Sequence, residues 1–300
     1  MKALITGAGG FVGPHLRRAL EAAGDDVTGL DLRNGPNLLD GPGWTAVVAE
    51  HRPDVIYHLA GWSDVSGSWR DPAATFQVNG VGTLSVLDAA RAAGTDRVVL
   101  VSSADVYGTV SPDVLPLTEE HPMQPRSPYG ASKQAAEALG MQYHRAHGLG
   151  VIIVRPFNHL GTGQSPRFAA PAFAAQIAEA EQVGHGTVAH GDLSAERDLT
   201  DVRDVVEAYR LLAAEGRPGE VYNVCSGRAV SMQSMLDRLI AGATVPIATA
   251  IDPDRLRPVE LPVLRGSHRK LSEATGWEPR HSLDDTLDAV LTDARGRVAV

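Results

Sequence analysis

Tyr129 and Lys133 stand four residues apart in the run Ser127-Pro128-Tyr129-Gly130-Ala131-Ser132-Lys133. On a helix, that spacing puts both side chains on one face. The pair suits proton transfer. Free tyrosine has a pKa of about 10 and is a poor base at neutral pH. A nearby ammonium, helped by the positive charge of an oxidised nicotinamide, favours the phenolate. Tyr129 can then exchange a proton with a sugar hydroxyl or ketone while a nicotinamide exchanges a hydride. Upstream, Ser102-Ser103-Ala104-Asp105-Val106-Tyr107-Gly108 supplies hydroxyls. Ser103 can hydrogen-bond the same substrate oxygen and steady its developing charge. A Tyr-x-x-x-Lys pair alone also describes an ordinary surface helix. Here it gains weight from the serine loop and from the scarcity of lysine, which occurs only as Lys2, Lys133 and Lys270. Asp105 reads equally well as a turn residue.

Such groups need a scaffold that brings separated stretches to one crevice. Ala3-Leu4-Ile5 reads as a buried strand, Phe11 to Ala23 as a helix closed by Gly24, and Val27 to Leu30 as a second strand. Asp54 to Leu59 reads as a strand entered from a helix ending near Arg52-Pro53. A long helix is expected over Thr75 to Ala93, a strand over Arg97 to Val101, a helix over Tyr129 to His147 and a strand over Val151 to Val154. The continuous β-branched runs imply strands buried on both faces, hence a parallel sheet with helices on both sides. In open sheets of this kind ligands bind beyond the carboxyl ends of the strands, where the serine loop begins. After Arg155 the pattern loosens. Residues 158–167 read as a loop, 168–182 as a helix and 185–198 as strand and turn. Asp201 can cap a helix running to about Glu215, and the Pro- and Arg-rich stretch from Val245 to Pro262 is expected to loop over the surface. The expected fold class is α/β: a doubly wound parallel Rossmann sheet with a smaller C-terminal substrate-binding lobe. The NAD(P)-binding part is placed at 1–155, with a returning segment at about 187–225, and the lobe at 156–300.

The first strand runs into Gly7-Ala8-Gly9-Gly10-Phe11-Val12-Gly13, with glycines at 7, 10 and 13. A glycine triplet between a strand and a helix is a dinucleotide fingerprint. Gly7 and Gly10 let the backbone approach a pyrophosphate, and the helix opened by Phe11, Val12 and Gly13 offers free N–H groups to that anion. A tight turn without a ligand is the plainer alternative. Asp31 ends the second strand, where a ribose-binding acid is expected. It would accept from a 2′-hydroxyl and repel a 2′-phosphate, favouring NAD(H), although it also reads as a turn acid. Arg33 could instead pair with a 2′-phosphate, which leaves NADP(H) open.

Composition narrows the field. The chain has 300 residues, 43% hydrophobic and 21% charged, enough to bury a sizeable core and too apolar for general disorder. Its net charge of −9 argues against nucleic acid or an anionic membrane as partner. The single cysteine, Cys225, excludes an intrachain disulfide and a cysteine-based zinc site. There is no His-Glu-x-x-His and no Gly-x-Ser-x-Gly. The histidines show no ligand spacing, and His58 and His159 are expected to make structural hydrogen bonds; no metal is expected. No apolar run approaches a membrane span, and the Met1 end is too short an apolar stretch for a signal peptide. A cytoplasmic protein is expected.

Taken with His58-Leu59-Ala60-Gly61, and Asn79 followed by Gly82-Thr83, these motifs resemble the extended short-chain dehydrogenase/reductases that act on nucleotide sugars. Several strings of the second half look like the GDP-4-keto-6-deoxy-D-mannose reductase (GDP-D-rhamnose-forming) branch. They are Arg155-Pro156-Phe157-Asn158-His159-Leu160-Gly161, Arg197-Asp198-Leu199-Thr200-Asp201, Val221-Tyr222-Asn223-Val224-Cys225-Ser226-Gly227, and Leu256-Arg257-Pro258-Val259-Glu260-Leu261-Pro262. The resemblance implies an NAD(P)-binding enzyme of the epimerase/dehydratase family that reduces a 4-keto sugar nucleotide. Leu59 and Ala60 then line the cofactor, which Tyr129 and Lys133 also touch. Asn158, Arg197 and Arg257 contact the nucleotide diphosphate, with Glu260 near its ribose. A homodimer through helices at about 75–93 and 128–147 is also implied. Two departures stand out. This branch commonly prefers NADPH, whereas Asp31 speaks for NAD(H). The usual third strand is hard to place between Asp31 and Pro53, where Asp40 is the one candidate for an adenine-contacting acid. The alternatives are a redox-neutral 4-epimerase or 4,6-dehydratase with tightly bound NAD, and a non-catalytic NAD(P)-binding regulator.

Overall fold

The computed structural model describes residues 1–256 and 262–298. From β1 (Lys2–Thr6) the chain turns through the glycine run into α1 (Val12–Ala22), then forms β2 (Asp26–Leu30) and α2 (Gly41–His51). Among the described residues no strand lies between β2 and α2. Asp40 caps α2, its carboxylate accepting from the Gly43 amide at 3.0 Å. β3 (Val55–His58) leads into α3 (Val65–Arg70) and α4 (Pro72–Phe76). The continuous helix expected over 75–93 is interrupted: Gln77–Val81 form a π turn before α5 (Gly82–Ala93). An extra residue in a turn re-aims its side chains, and here Asn79 faces inward. Its Oδ1 accepts from the Trp62 amide at 2.7 Å and its Nδ2 donates to Ser132 Oγ at 2.8 Å.

β4 (Arg97–Val101), a 3₁₀ turn at Ala104–Tyr107, α6 (Pro128–His147) and β5 (Gly150–Pro156) complete the first half. α6 starts where the sequence places it. Ser127 accepts from the Gly130 amide at 3.0 Å and Pro128 fills the first turn, which needs no N–H. The second half runs through β6 (Asn158–Leu160), α7 (Ala169–Val183), β7 (Gly186–His190), β8 (Glu196–Asp201), α8 (Val202–Glu215), β9 (Val221–Val224) and β10 (Ala229–Ser231). It ends with α9 (Met232–Ala241), β11 (Ile247–Ile251), β12 (Val263–Leu264), α10 (Arg269–Thr275) and α11 (Leu283–Val298). As expected, Asp201 caps α8, accepting from the Arg203 amide at 2.7 Å.

Six parallel strands form the main sheet in the order β2-β1-β3-β4-β5-β9. Of the segment expected to return at about 187–225, only β9 enters this sheet. β7 pairs with β11, and β8 with β6, β10 and β12. The stretch from Val245 is therefore an edge strand in part rather than a loop. Alternation along the strands sorts the core into two layers. Leu4, Ile56, Val98, Leu100, Val151 and Ile153 pack with residues of α2, α5 and α6. Ala3, Ile5, Val55, Tyr57, Val99, Ile152 and Val154 pack with α1 and α8. Each fully buried branched side chain contributes about 1.5–3 kcal/mol, so the sheet is a rigid base for what projects from its carboxyl ends. Phe173, Ile177, Val188, Leu236 and Leu291 centre a separate core in the lobe, and Val106, Tyr107, Leu117, Phe157 and Leu264 underlie the serine loop. Among the described residues, no helix is long and apolar enough to cross a membrane.

Candidate active site

Ser103 leaves the end of β4 in an extended conformation and caps the turn that follows. Its Oγ accepts from the Asp105 amide at 3.1 Å and donates to Asp105 Oδ2 at 2.9 Å. Tyr129 lies in the first turn of α6, with its amide donating to Ser68 Oγ at 3.2 Å. The Tyr129 hydroxyl lies close enough to Ser103 for that hydroxyl to favour its ionised form. One helical turn on, the Lys133 Nζ donates to the Val101 carbonyl at 2.9 Å and stands 6.0 Å from the centre of the Tyr129 ring. All three side chains are buried. The structure thus brings together the serine, tyrosine and lysine that the sequence singled out.

Burial governs their acidity. It raises the Tyr129 phenol above its ordinary value; the Asp105 charge adds to this and the Ser103 hydrogen bond opposes it. The expected phenolate is therefore not favoured by the protein alone, since these effects hold Tyr129 as a phenol. Burial lowers Lys133 to about 8, against an upward pull from Glu137. His58 falls to about 3, through burial first and the Lys133 charge second, and is neutral. Its ring bridges Thr6 Oγ1 at 2.8 Å and Thr83 Oγ1 at 3.1 Å, a structural role as expected. Asp105 is exposed as a residue, yet the protein around its carboxylate partly desolvates it. That partial desolvation raises its carboxyl, against the Ser103 hydrogen bond and the Arg197 charge. A substrate carbonyl must compete with Asp105 for the Ser103 proton.

The glycine loop is shaped for close approach. Gly7 has φ +72°, and a Cβ there would stand 2.8 Å from the Ala60 backbone. A Cβ on Gly13 would lie 2.3 Å from the Ala8 carbonyl oxygen. Gly10 donates to the Gly7 carbonyl at 3.0 Å, and Ala8 to that of Leu30 at 3.0 Å. No side chain caps the start of α1, so its first amides are available to an anion. A cavity of about 320 Å³ opens there, lined by Gly9, Gly10, Phe11, His15 and Arg18 among others. Phe11 stacks on His159 with centroids 5.8 Å apart, joining the two halves. Val12 and Leu59 pack against the core behind the loop, and the Ala60 amide donates to Thr6 Oγ1 at 3.1 Å. The residues present fit a dinucleotide whose pyrophosphate rests on this loop. At the far end of the loop, Asp31 and Arg33 pair with each other. Arg33 donates to Asp31 from its backbone at 2.8 Å and from Nη2 at 2.5 Å, which holds the Asp31 carboxyl below its ordinary range. Both side chains press on Gly9, where a Cβ would collide with them.

On the substrate side, Asn158 is exposed at the start of β6. Arg197 on β8 donates to the Glu196 carbonyl at 2.8 Å and acts electrostatically on Asp105, which places it near the serine loop. Arg257 and Glu260 lie outside the described residues. The sequence reading gave no role to Glu137 or Asp198. Asp198 is fully buried and accepts from the Ser226 amide and hydroxyl and from the Gly227 and Gly266 amides, tying β8 to its neighbours. Glu137 had a readable signal, an acid four residues beyond Lys133 on the same helix face.

A parallel sheet with a glycine loop at its first strand, and a buried Ser-Tyr-Lys set at the ends of β4 and α6, define an extended short-chain dehydrogenase/reductase. The GDP-mannose 4,6-dehydratase family profile matches residues 35–290, and the chain belongs to that family. A GDP-6-deoxy-D-mannose reductase of Pseudomonas aeruginosa is 40% identical over 296 residues, spanning 98% of this chain and 97% of that protein. The solved structure of RMD from Pseudomonas aeruginosa with NADPH superposes with a TM-score of 0.91 at 38% identity, covering 99% of this chain and 100% of that one. The Thermus thermophilus UDP-glucose 4-epimerase in complex with NAD gives 0.86 at 29% identity, with 99% of each chain covered.

Proposed function

We propose that this chain reduces the 4-keto group of a nucleotide sugar of the GDP-4-keto-6-deoxy-D-mannose type, giving a GDP-D-rhamnose-type product, with NAD(P)H as its cofactor. The observation that carries the chemistry is the convergence of three buried side chains, Ser103, Tyr129 and Lys133, with the Lys133 Nζ 6.0 Å from the Tyr129 ring centre. The near-full-length likeness to a GDP-6-deoxy-D-mannose reductase supports the choice of substrate. When bound, the nicotinamide would supply the hydride for the ketone carbon. Tyr129 gives its proton to the ketone oxygen, Ser103 hydrogen-bonds that oxygen, and the Lys133 ammonium stabilises the tyrosinate left behind. Gly7, Gly10, Phe11, Val12, Gly13, Leu59 and Ala60 form the cofactor cradle, and Asn158 and Arg197 meet the diphosphate through donors suited to phosphate oxygens. The same reading takes the protein as cytoplasmic. It also takes the protein as a homodimer, supported by the exposed Phe76 and Val81 on the outer side of the α4–α5 helix.

Because Lys133 titrates near 8, reduction should weaken as pH rises through that value. Its ammonium is present below it and lost above it, and with it goes the charge that stabilises the tyrosinate. Initial rates of NAD(P)H oxidation between pH 6 and about pH 10 would show this fall; a flat profile would remove Lys133 from that role.

Arg33 covers the Asp31 charge that would otherwise repel a 2′-phosphate, and most of its side chain is open to solvent. Both cofactors should therefore be used, with NADPH drawing on Arg33. Arg33→Ala is expected to lower kcat/KM for NADPH by roughly fivefold to tenfold, the scale of one exposed charged contact, and to leave NADH use level or higher. Equal losses with both cofactors would contradict this.

The redox-neutral reading has one observation in its favour, the Asp105 carboxylate beside Ser103, which could serve a dehydratase as an additional acid or base. Denaturing the purified protein separates the readings. Stoichiometric NAD⁺ released from it supports an epimerase or dehydratase. Protein that oxidises NADPH or NADH only when given the 4-keto-6-deoxy sugar nucleotide supports the reductase.

A further inference from the structure

Behind the catalytic set lies a buried ionic cluster. Glu137 sits one helical turn beyond Lys133 on the same face of α6 and is fully enclosed, as is Arg155 at the end of β5. Arg155 grips the carboxylate with two donors, Nε to Oε1 at 2.9 Å and Nη2 to Oε2 at 2.7 Å. Ser102 Oγ donates to Oε1 at 2.5 Å. Ser102 lies between Val101, whose carbonyl accepts the Lys133 hydrogen bond, and Ser103 of the catalytic set. Two side chains of α6, one turn apart, therefore stitch that helix to two consecutive residues at the end of β4, Val101 and Ser102.

We infer that Glu137, fixed by Ser102 and Arg155, is a positioning residue of the catalytic set, its carboxylate being the built-in counter-charge that keeps Lys133 an ammonium. This rests on the assignment of Lys133 to that set. A buried ammonium without an opposite charge loses its proton readily. Few other groups could supply that charge. On α6 itself, Tyr129 is a phenol. His58 of β3 is neutral. Asp105 of the 3₁₀ turn faces Ser103, Tyr129 and Arg197, and Tyr107 of the same turn binds Arg155 and Asn223. Arg155 of β5 is engaged by Glu137. α4 and the π turn carry no charged residue. Arg70 of α3 pairs with Asp64, and Asp88 and Arg91 of α5 meet at the other end of α6, beside Tyr143. Arg155 in turn holds the Glu137 carboxylate in place through its two donors.

Lysine scarcity makes the test direct. Protein labelled with [13Cε]lysine should give three side-chain signals, and a Lys133→Met sample identifies one of them. In Glu137→Gln the midpoint of the Lys133 titration should fall by about one pH unit, the lower end of what a close charge produces. Glu137→Asp keeps the charge but draws it back, so a smaller fall is expected, and this variant decides the matter if the amide variant does not fold. Arg155→Lys keeps the positive charge but loses the two-pronged grip. It should lower the melting temperature while leaving the Lys133 midpoint in place. An unmoved midpoint in either folded Glu137 variant, or an equal shift in Arg155→Lys, would overturn the inference and leave the cluster as scaffolding alone. The alkaline limb of nucleotide-sugar reduction should move with the Lys133 signal. Absence of turnover in every sample, native included, would refute the proposed substrate, while the NMR titration would still decide the role of Glu137.

Discussion

Tyr129→Phe should lower the rate of 4-keto reduction by about 10³-fold, the middle of the range for a positioned proton donor, and leave the fold and the cofactor site intact. The change removes one hydroxyl from a side chain that is otherwise packed, so the ring keeps its place at the start of α6. What is lost is the contact to Ser103 and the only proton on that hydroxyl. The cost in stability is about 1 kcal/mol or less, because a single neutral hydrogen bond nets little. Stopped-flow or steady-state NADPH oxidation with the nucleotide sugar measures the first effect, and cofactor titration by protein fluorescence measures the second. A non-catalytic regulator of the same fold would be indifferent to this substitution. Retained turnover would therefore return the chain to that class, whereas a parallel collapse of cofactor binding would mean that Tyr129 acts as a wall and not as an acid.

What could be read in the sequence was what depends on near neighbours. The i,i+4 spacing of Tyr129 and Lys133 forces a shared helix face. The glycines at 7, 10 and 13 mark one turn between a strand and a helix, and the buried runs at 97–101 and 151–154 have no stable place outside a two-sided sheet. The misreadings involve contacts between distant segments. Periodicity over 75–93 is helical throughout, and the π turn arises because Asn79 reaches Trp62 and Ser132, one of which lies 53 residues away. β6 and β11 are short and are defined only by the strands they pair with, β8 and β7. In sequence Asp31 and Arg33 read as rivals, one for each cofactor, because neither residue type reveals that the two bind each other. The Lys-Tyr proximity was legible, but the depth of burial that outweighs it was not.

The largest effect on cofactor binding is expected from Gly13→Ala. Gly13 has ordinary helical backbone angles, so alanine costs nothing in φ and ψ there and would even favour the helix. The obstacle is space. The new methyl would stand 2.3 Å from the Ala8 carbonyl oxygen and 2.6 Å from its carbonyl and α carbons, all of them backbone atoms that cannot rotate away. Ala8 is itself held by a 3.0 Å bond to the Leu30 carbonyl. The loop must therefore move as a unit, carrying the amides at the start of α1 away from any pyrophosphate. Overpacking of this kind typically costs 1–3 kcal/mol, and loss of aligned phosphate contacts should weaken NADPH binding by about 100-fold or more, two or more charge-assisted bonds' worth. Gly296→Ala in α11 makes the contrast. Nothing lies within 4 Å of its Cβ and its φ is not positive, so about 0.4–1 kcal/mol of added stability is expected, with unchanged affinity. Calorimetric NADPH titration and thermal melts of the two variants should thus diverge in both quantities. If Gly13→Ala bound NADPH as tightly as the native chain, the bend at Ala8 would not be what shapes the phosphate cradle, and the cofactor would have to sit elsewhere along the ends of the strands.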